Sequence, residues 1–285
     1  MGVRRAVDMA YNKTGGEISP PVPAGLTDVF TMGPLIHSPQ VLSDLGLRGV
    51  RVLDPENLPP DLNGKLVLIR AHGITPSLES LLLDKGARLV DATCPRVKAS
   101  QLKVRDLGKS GYHIFLAGER DHGEIAGIKG YAKECIILAN DGDAEREGKR
   151  LAQKKPLLKT ALIGQTTISP EEYRAIGKAL EKFFPDILIL DTICRATRDR
   201  QDALKRLCPL VEAVIVAGGR DSANTRRLAA IAASMGKKTW LVESAEEIPP
   251  EVDSYKVLGL SAGASTPALV IDKIEAKLLA INDVE

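Results

Sequence analysis

The sequence predicts an α/β protein made of three similar small lobes, each with a parallel sheet, arranged as a pseudo-threefold trefoil around a central site. Three observations carry this prediction. Short runs rich in Val, Ile and Leu, such as Lys65–Ile69 and Asp186–Leu190, alternate with longer charged segments of helical pattern, as βαβ units do. Several strand ends carry Gly with His, Ser, Thr or Gln, at Ala71-His72-Gly73, Gly164-Gln165-Thr166 and Ala262-Gly263-Ala264-Ser265. Leu89–Cys94 and Leu188–Cys194 are both apolar strands that end in Asp and then Cys, and the two cysteines lie 100 positions apart.

At the same offset Gln101 answers to Gln201, Leu107 to Leu207, and Ala117–Asp121 to Ala217–Asp221. From the N-terminus, residues 2–10 read as the first turns of a helix like those that follow Cys94 and Cys194. Lys13–Leu26, with three Gly and three Pro, reads as a loop inside the first lobe. The lobes are expected at 1–91, 92–190 and 191–268, with 269–285 a closing helix and tail. Three Gly-rich strand ends against two matched cysteines predict a third cysteine, with its strand, immediately before Met1. The first lobe is then expected to lack its first strand and Cys. Because α/β folds bind ligands beyond the carboxyl ends of parallel strands, the lobes should line one three-sided site.

Composition narrows the function. At 285 residues the chain can build a sizeable core. Its 39 Lys plus Arg against 37 Asp plus Glu leave a net charge of +2, without a long basic run, so no nucleic-acid partner is expected. Four widely spaced cysteines form no disulfide framework and fit a reducing cytoplasm. No apolar run is long enough to span a membrane, and Met1 is not followed by a secretory apolar segment, so no membrane partner is expected either.

Thiolates that converge on a point can hold a metal cluster while leaving one position open for a ligand. The matched strand-end placement of Cys94 and Cys194 points to a metal or redox role. Cys135 lacks the repeat context and Cys208 lies in a helical pattern, so both read as core residues. No C-x-x-C pair is present, which disfavours a structural zinc site.

The ordered set Gly33-Pro34-Leu35-Ile36-His37, Ala71-His72-Gly73, Asp91-Ala92-Thr93-Cys94-Pro95, His122-Gly123-Glu124, Gly164-Gln165-Thr166-Thr167, Cys194-Arg195-Ala196-Thr197, Ser222-Ala223-Asn224 and Ala262–Ser265 resembles the 4-hydroxy-3-methylbut-2-enyl diphosphate reductase family over nearly the whole chain. The resemblance implies a 4Fe-4S cluster with Cys94 and Cys194 among its ligands. It implies a substrate pocket lined by His37, His72, His122, Thr166, Thr197, Ser222, Asn224 and Ser265, with Glu124 as proton donor and Thr166 as relay. The implied reaction is reductive removal of an allylic hydroxyl, fed with single electrons by a ferredoxin or flavodoxin. The competing reading of Glu124 is a cap on a helix beginning near Ile125. His113, the one histidine off the family positions, reads as a core or boundary residue. The family's first motif is Gly-Phe-Cys, one variable residue, then Gly-Val, of which Met1-Gly2-Val3 is the tail. Ser38 and Ala223 replace an Asn and a Ser common in relatives. The alternative function is a diphosphate-binding protein that holds no cluster.

Overall fold

Uninterrupted apolar runs become central strands, because a parallel sheet covered by helices on both faces buries nearly every side chain. The structure, a computed structural model, describes residues 2–13, 28–35 and 39–282. It begins with α1 (Gly2–Lys13), β1 (Val29–Met32), α2 (Pro39–Leu47), β2 (Val50–Leu53), β3 (Leu66–Ile69), α3 (Pro76–Asp84) and β4 (Arg88–Asp91). There follow α4 (Pro95–Lys109), β5 (His113–Ala117), α5 (Gly123–Lys129), β6 (Cys135–Leu138), α6 (Asp141–Lys154), β7 (Thr160–Gly164), α7 (Pro170–Glu181) and β8 (Leu188–Ile189). The last elements are α8 (Arg195–Leu207), β9 (Ala213–Ala217), α9 (Ala223–Ser234), β10 (Lys238–Val242), β11 (Leu258–Ala262) and α10 (Ala268–Asn282).

The strands form three sheets, ordered β2-β1-β3-β4, β6-β5-β7-β8 and β10-β9-β11, and every pairing is parallel. One plan recurs: a buried first strand flanked by the second strand and by the strand that ends in the Gly-rich turn. β1, β3, β5, β7 and β9 are buried along their whole length. Helix starts are set locally. Thr75 and Ser169 each precede a Pro and accept a hydrogen bond from the third residue on, Leu78 and Glu172, and Ser222 does the same for Thr225.

By contact the chain forms two units, one comprising almost everything up to Ile193 and the other starting at Cys194. The first holds two sheets, with cores built around Leu68 and Val67 on either face of one and around Phe115 and Ile114 on either face of the other. The second holds the third sheet, between a cluster around Val214 and Leu228 and one around Ile215 and Ile274.

Two expectations change. The run Asp186–Leu190 yields only a two-residue strand, because it sits at a sheet edge with Leu188 and Ile189 half-exposed. What holds that edge is not the ladder alone. The Tyr173 hydroxyl lies 2.9 Å from the Leu162 carbonyl oxygen and 2.7 Å from that of Leu190, and the Thr192 hydroxyl bonds both the N–H and the carbonyl of Gly164. The expected gap in the first lobe is not found in the first sheet, which has four strands; among the described residues it is the third sheet that has three. The reason is pairing: β4 and β8, which lead to Cys94 and Cys194, each join the sheet that precedes their cysteine. The expected loop 13–26 lies, beyond Lys13, outside the described residues, as do His37, Ser38 and the last residues of the tail. No helix among the described residues is long and apolar enough to cross a membrane.

Candidate active site

In the first unit the chemistry gathers where the strands end. Asp91 closes β4 and accepts a hydrogen bond from the Thr93 N–H at 2.9 Å, which turns the chain into α4 with Cys94 at its N-cap. Arg5 of α1 donates to the Thr93 carbonyl at 3.2 Å, and the helix start packs so tightly that a Cβ added at Gly2 would fall 2.7 Å from the Cys94 sulfur. In the second unit Cys194 occupies the same N-cap position on α8, with Thr197 buried one turn along. Thr75, Ser169 and Ser222 use their side chains to cap their helices, whereas neither cysteine does. Both are half-buried free thiols. A free thiol at a helix N-terminus, uncommitted to the backbone, suits a soft metal. Among the described residues no three His, Cys, Asp or Glu side chains gather as a metal-binding group.

Glu124 is the most unusual side chain of the first unit. It lies in the first turn of α5, 2% exposed, and reaches the strand end after β7. Its carboxylate accepts the Thr166 N–H at 2.6 Å and the Thr166 hydroxyl at 2.8 Å. Burial pushes its pKa up to about 7, against the opposing pull of those two bonds. The capping alternative fails, because the cap is His122, whose Nδ1 accepts the Glu124 N–H at 3.2 Å. A neutral His122 therefore carries its proton on Nε2, facing away from the helix as a donor. His72 meets His122 edge-on, with ring centroids 4.8 Å apart.

This approach depends on missing side chains. Gly123, Gly127 and Gly130 share one face of α5. A Cβ at Gly127 would stand 2.9 Å from the His72 carbonyl oxygen, and one at Gly130 would stand 2.6 Å from the Thr75 Cβ. Gln101, fully buried two turns beyond Cys94, lies against Gly73 with no hydrogen-bond partner for either amide atom.

In the second unit Ser222 caps α9, and Asn224 is buried with neither its amide oxygen nor its nitrogen hydrogen-bonded. Such a group calls for an outside partner. Ser265 follows β11, half-buried, and the neighbouring Thr266 hydroxyl bonds the Ala217 carbonyl at 3.0 Å. Thus Glu124 joins Thr166 and His72 joins His122 in one unit, while Cys194, Thr197, Ser222, Asn224 and Ser265 belong to the other. Two further residues enter that the sequence reading left out of the site. Gln165 accepts the Glu119 N–H at 2.9 Å and donates to the Thr167 hydroxyl at 2.9 Å, which fixes the loop that carries Thr166. Arg70 lies beside His72. Their signal was position, directly before Thr166 and directly before Ala71-His72.

The sequence model of the family described as LytB protein matches residues 1–279. The 4-hydroxy-3-methylbut-2-enyl diphosphate reductase of Treponema denticola is 44% identical over 285 residues, covering 98% of this chain and 95% of that protein. Among solved structures, the E-1-hydroxy-2-methyl-but-2-enyl-4-diphosphate reductase from Plasmodium falciparum matches with a TM-score of 0.84 at 25% identity, covering 96% of this chain and 83% of that one. A structure of (E)-4-hydroxy-3-methyl-but-2-enyl diphosphate reductase, the terminal enzyme of the non-mevalonate pathway, matches with a TM-score of 0.67 at 33% identity, covering 98% and 95%. With its repeated cysteine-led helices and a family match that runs almost end to end, the chain belongs to the LytB protein family.

Proposed function

We propose that the chain is an iron-sulfur reductase that removes the allylic hydroxyl of 4-hydroxy-3-methylbut-2-enyl diphosphate. Two electrons and two protons enter, the carbon-oxygen bond breaks, and water leaves with isopentenyl or dimethylallyl diphosphate. Cys94 and Cys194 would hold the cluster. When bound, a 4Fe-4S cluster supplies single electrons and a Lewis-acidic iron for the hydroxyl. One-electron delivery calls for a ferredoxin or flavodoxin donor, and free thiols call for the reducing cytoplasm.

The observation that carries the reading is the Glu124–Thr166 pair. A carboxyl with a pKa of about 7 is half protonated near neutrality and so can give up a proton where an ordinary glutamate has none left. As carboxylate it accepts from the Thr166 hydroxyl. As acid it donates to that oxygen, and Thr166 can pass its own hydrogen onward, so the pair serves as donor and relay. His72 and His122 offer N–H groups, as do the amide of Asn224 and the hydroxyls of Thr197, Ser222 and Ser265, all suited to phosphate oxygens. His37 is assigned to the same set from its motif. A protein that only bound the diphosphate would have no use for a buried, protonatable glutamate, which is why the enzyme is favoured over the cluster-free binding protein.

Glu124→Gln tests this, because the amide keeps the shape and can still bond Thr166 but has no proton to give. The variant should bind substrate and retain the visible absorption of the anaerobically purified protein, while turnover with a chemical one-electron reductant falls by about 10² or more. Normal turnover would remove Glu124 as the proton source.

A further inference from the structure

Arg70 brings a permanent positive charge to the histidine side of the first unit's strand-end cluster. It ends the β3 run, two residues before His72, and its side chain is half-buried. A Cβ built on Gly33 would lie 3.1, 3.3 and 3.6 Å from Nη1, Cζ and Nε, so the Gly33 turn covers a face of the guanidinium. Gly33 has φ of 74°, a conformation that favours glycine, and the contact leaves no room for a side chain there. On the other side Gly123 abuts the same group: a Cβ there would meet Nη2 and stand 3.2 Å from Cζ and 3.4 Å from His72 Nδ1. Two glycines, one in the turn after β1 and one at the start of α5, thus make room for one guanidinium beside His72 and His122.

Among the described residues Arg70 has no ion pair and donates no hydrogen bond, and desolvation alone lowers its pKa from the ordinary arginine value. Arginines set near acids behave differently: Arg120 and Arg146 pair with Asp143, and Arg220 pairs with Glu243 and Glu247. A half-buried cation held in place by backbone, with its donors unused, is costly unless an anion arrives.

We infer that Arg70 is a further substrate-binding residue, which donates from its guanidinium to the diphosphate of the allylic substrate. The inference rests on the diphosphate reading above. The other groups assigned to the diphosphate are hydroxyls, an amide and histidine rings, so Arg70 adds a permanent positive charge to meet the ligand's negative one. Arginine suits the task because its fixed fork matches two phosphate oxygens.

The probe is inorganic pyrophosphate, titrated calorimetrically into the full-length holo-protein and into its Arg70→Met and Arg70→Lys variants, with melting temperature and visible absorption recorded alongside. Loss of a hydrogen-bonded charge should weaken pyrophosphate binding about 10- to 100-fold in Arg70→Met. Arg70→Lys should recover a good part of it, and KM for the allylic substrate should rise more than kcat falls. If the wild-type protein binds pyrophosphate and Arg70→Met binds it equally well, the assignment is overturned while the diphosphate reading stands. Equal weakening in both variants with equally lowered melting temperatures would make Arg70 a structural brace and also overturn it. A wild-type protein that binds no pyrophosphate would sink the diphosphate reading and this inference together.

Discussion

Glu124 keeps its proton at pH values where an exposed glutamate has long lost it, because no water reaches the carboxyl to stabilise its charge. That property has a cost in stability with a definite sign. Below the unfolded value of 4.5 both states hold the proton and nothing is lost. Between 4.5 and about 7 the unfolded chain releases it while the folded protein does not, so stability falls as pH rises. Above 7 the full penalty remains, on the order of 3 kcal/mol. Glu124→Gln carries no such dependence. The stability of the variant relative to wild type should therefore climb between pH 4.5 and 7 and then level off, as read by denaturant melts across that range. A difference that stays flat with pH would show that Glu124 is solvated like an ordinary glutamate.

Helix α5 and the turn after β3 approach as backbones, and that geometry is fixed by the 123-127-130 glycine spacing. A methyl at Gly127 meets the His72 carbonyl, a backbone atom that cannot swing aside, and comes within 3.2 Å of the Gln101 amide nitrogen. Gly127→Ala should destabilise the protein by about 1–3 kcal/mol, less whatever the better helix propensity returns. Because the displaced atom belongs to His72, KM should rise as well. Gly46, on the exposed face of α2, has nothing within 4 Å of a Cβ, so Gly46→Ala should be neutral or stabilise by about 0.5–1 kcal/mol. Thermal melts of the two variants side by side check both. A Gly127→Ala protein as stable and active as wild type would mean that the α5 contact is slack.

Across the molecule, the four cysteines divide into two kinds. Cys94 and Cys194 open equivalent helices and are half-buried with uncommitted thiols. Cys135 sits in β6, where burial pushes its thiol up to about 11, and Cys208 is fully buried at the end of α8, its thiol likewise raised by burial. A thiol that stays protonated at neutral pH is a poor soft ligand. Cys94→Ser and Cys194→Ser should each abolish the visible absorption and iron content of anaerobically purified protein, as well as turnover. Cys208→Ser should keep all three, with some loss of stability from burying a hydroxyl. Intact absorption in Cys94→Ser would refute its assignment as a ligand.

The sequence by itself determined the three parallel sheets, the helices that start at Cys94 and Cys194 and the Gly-rich strand ends, because each is written in local pattern. Val/Ile/Leu runs of strand length, a Pro at the first helical position and a 100-residue offset need no partner to be read. It also placed Glu124 and Thr166 in motifs, which only the family resemblance joined as donor and relay. Their pairing spans 42 positions, and only the packing of α5 on the strand end after β7 excludes water from the carboxyl and lifts its pKa. The same holds for His122, whose role as cap depends on a ring rotamer, and for Arg70, whose unpaired charge is visible only once Gly33 and Gly123 close around it. The edge at β8 was over-read for a related reason. An apolar run tells that a segment prefers to be buried, but whether a sheet offers it one neighbour or two is decided by the rest of the chain.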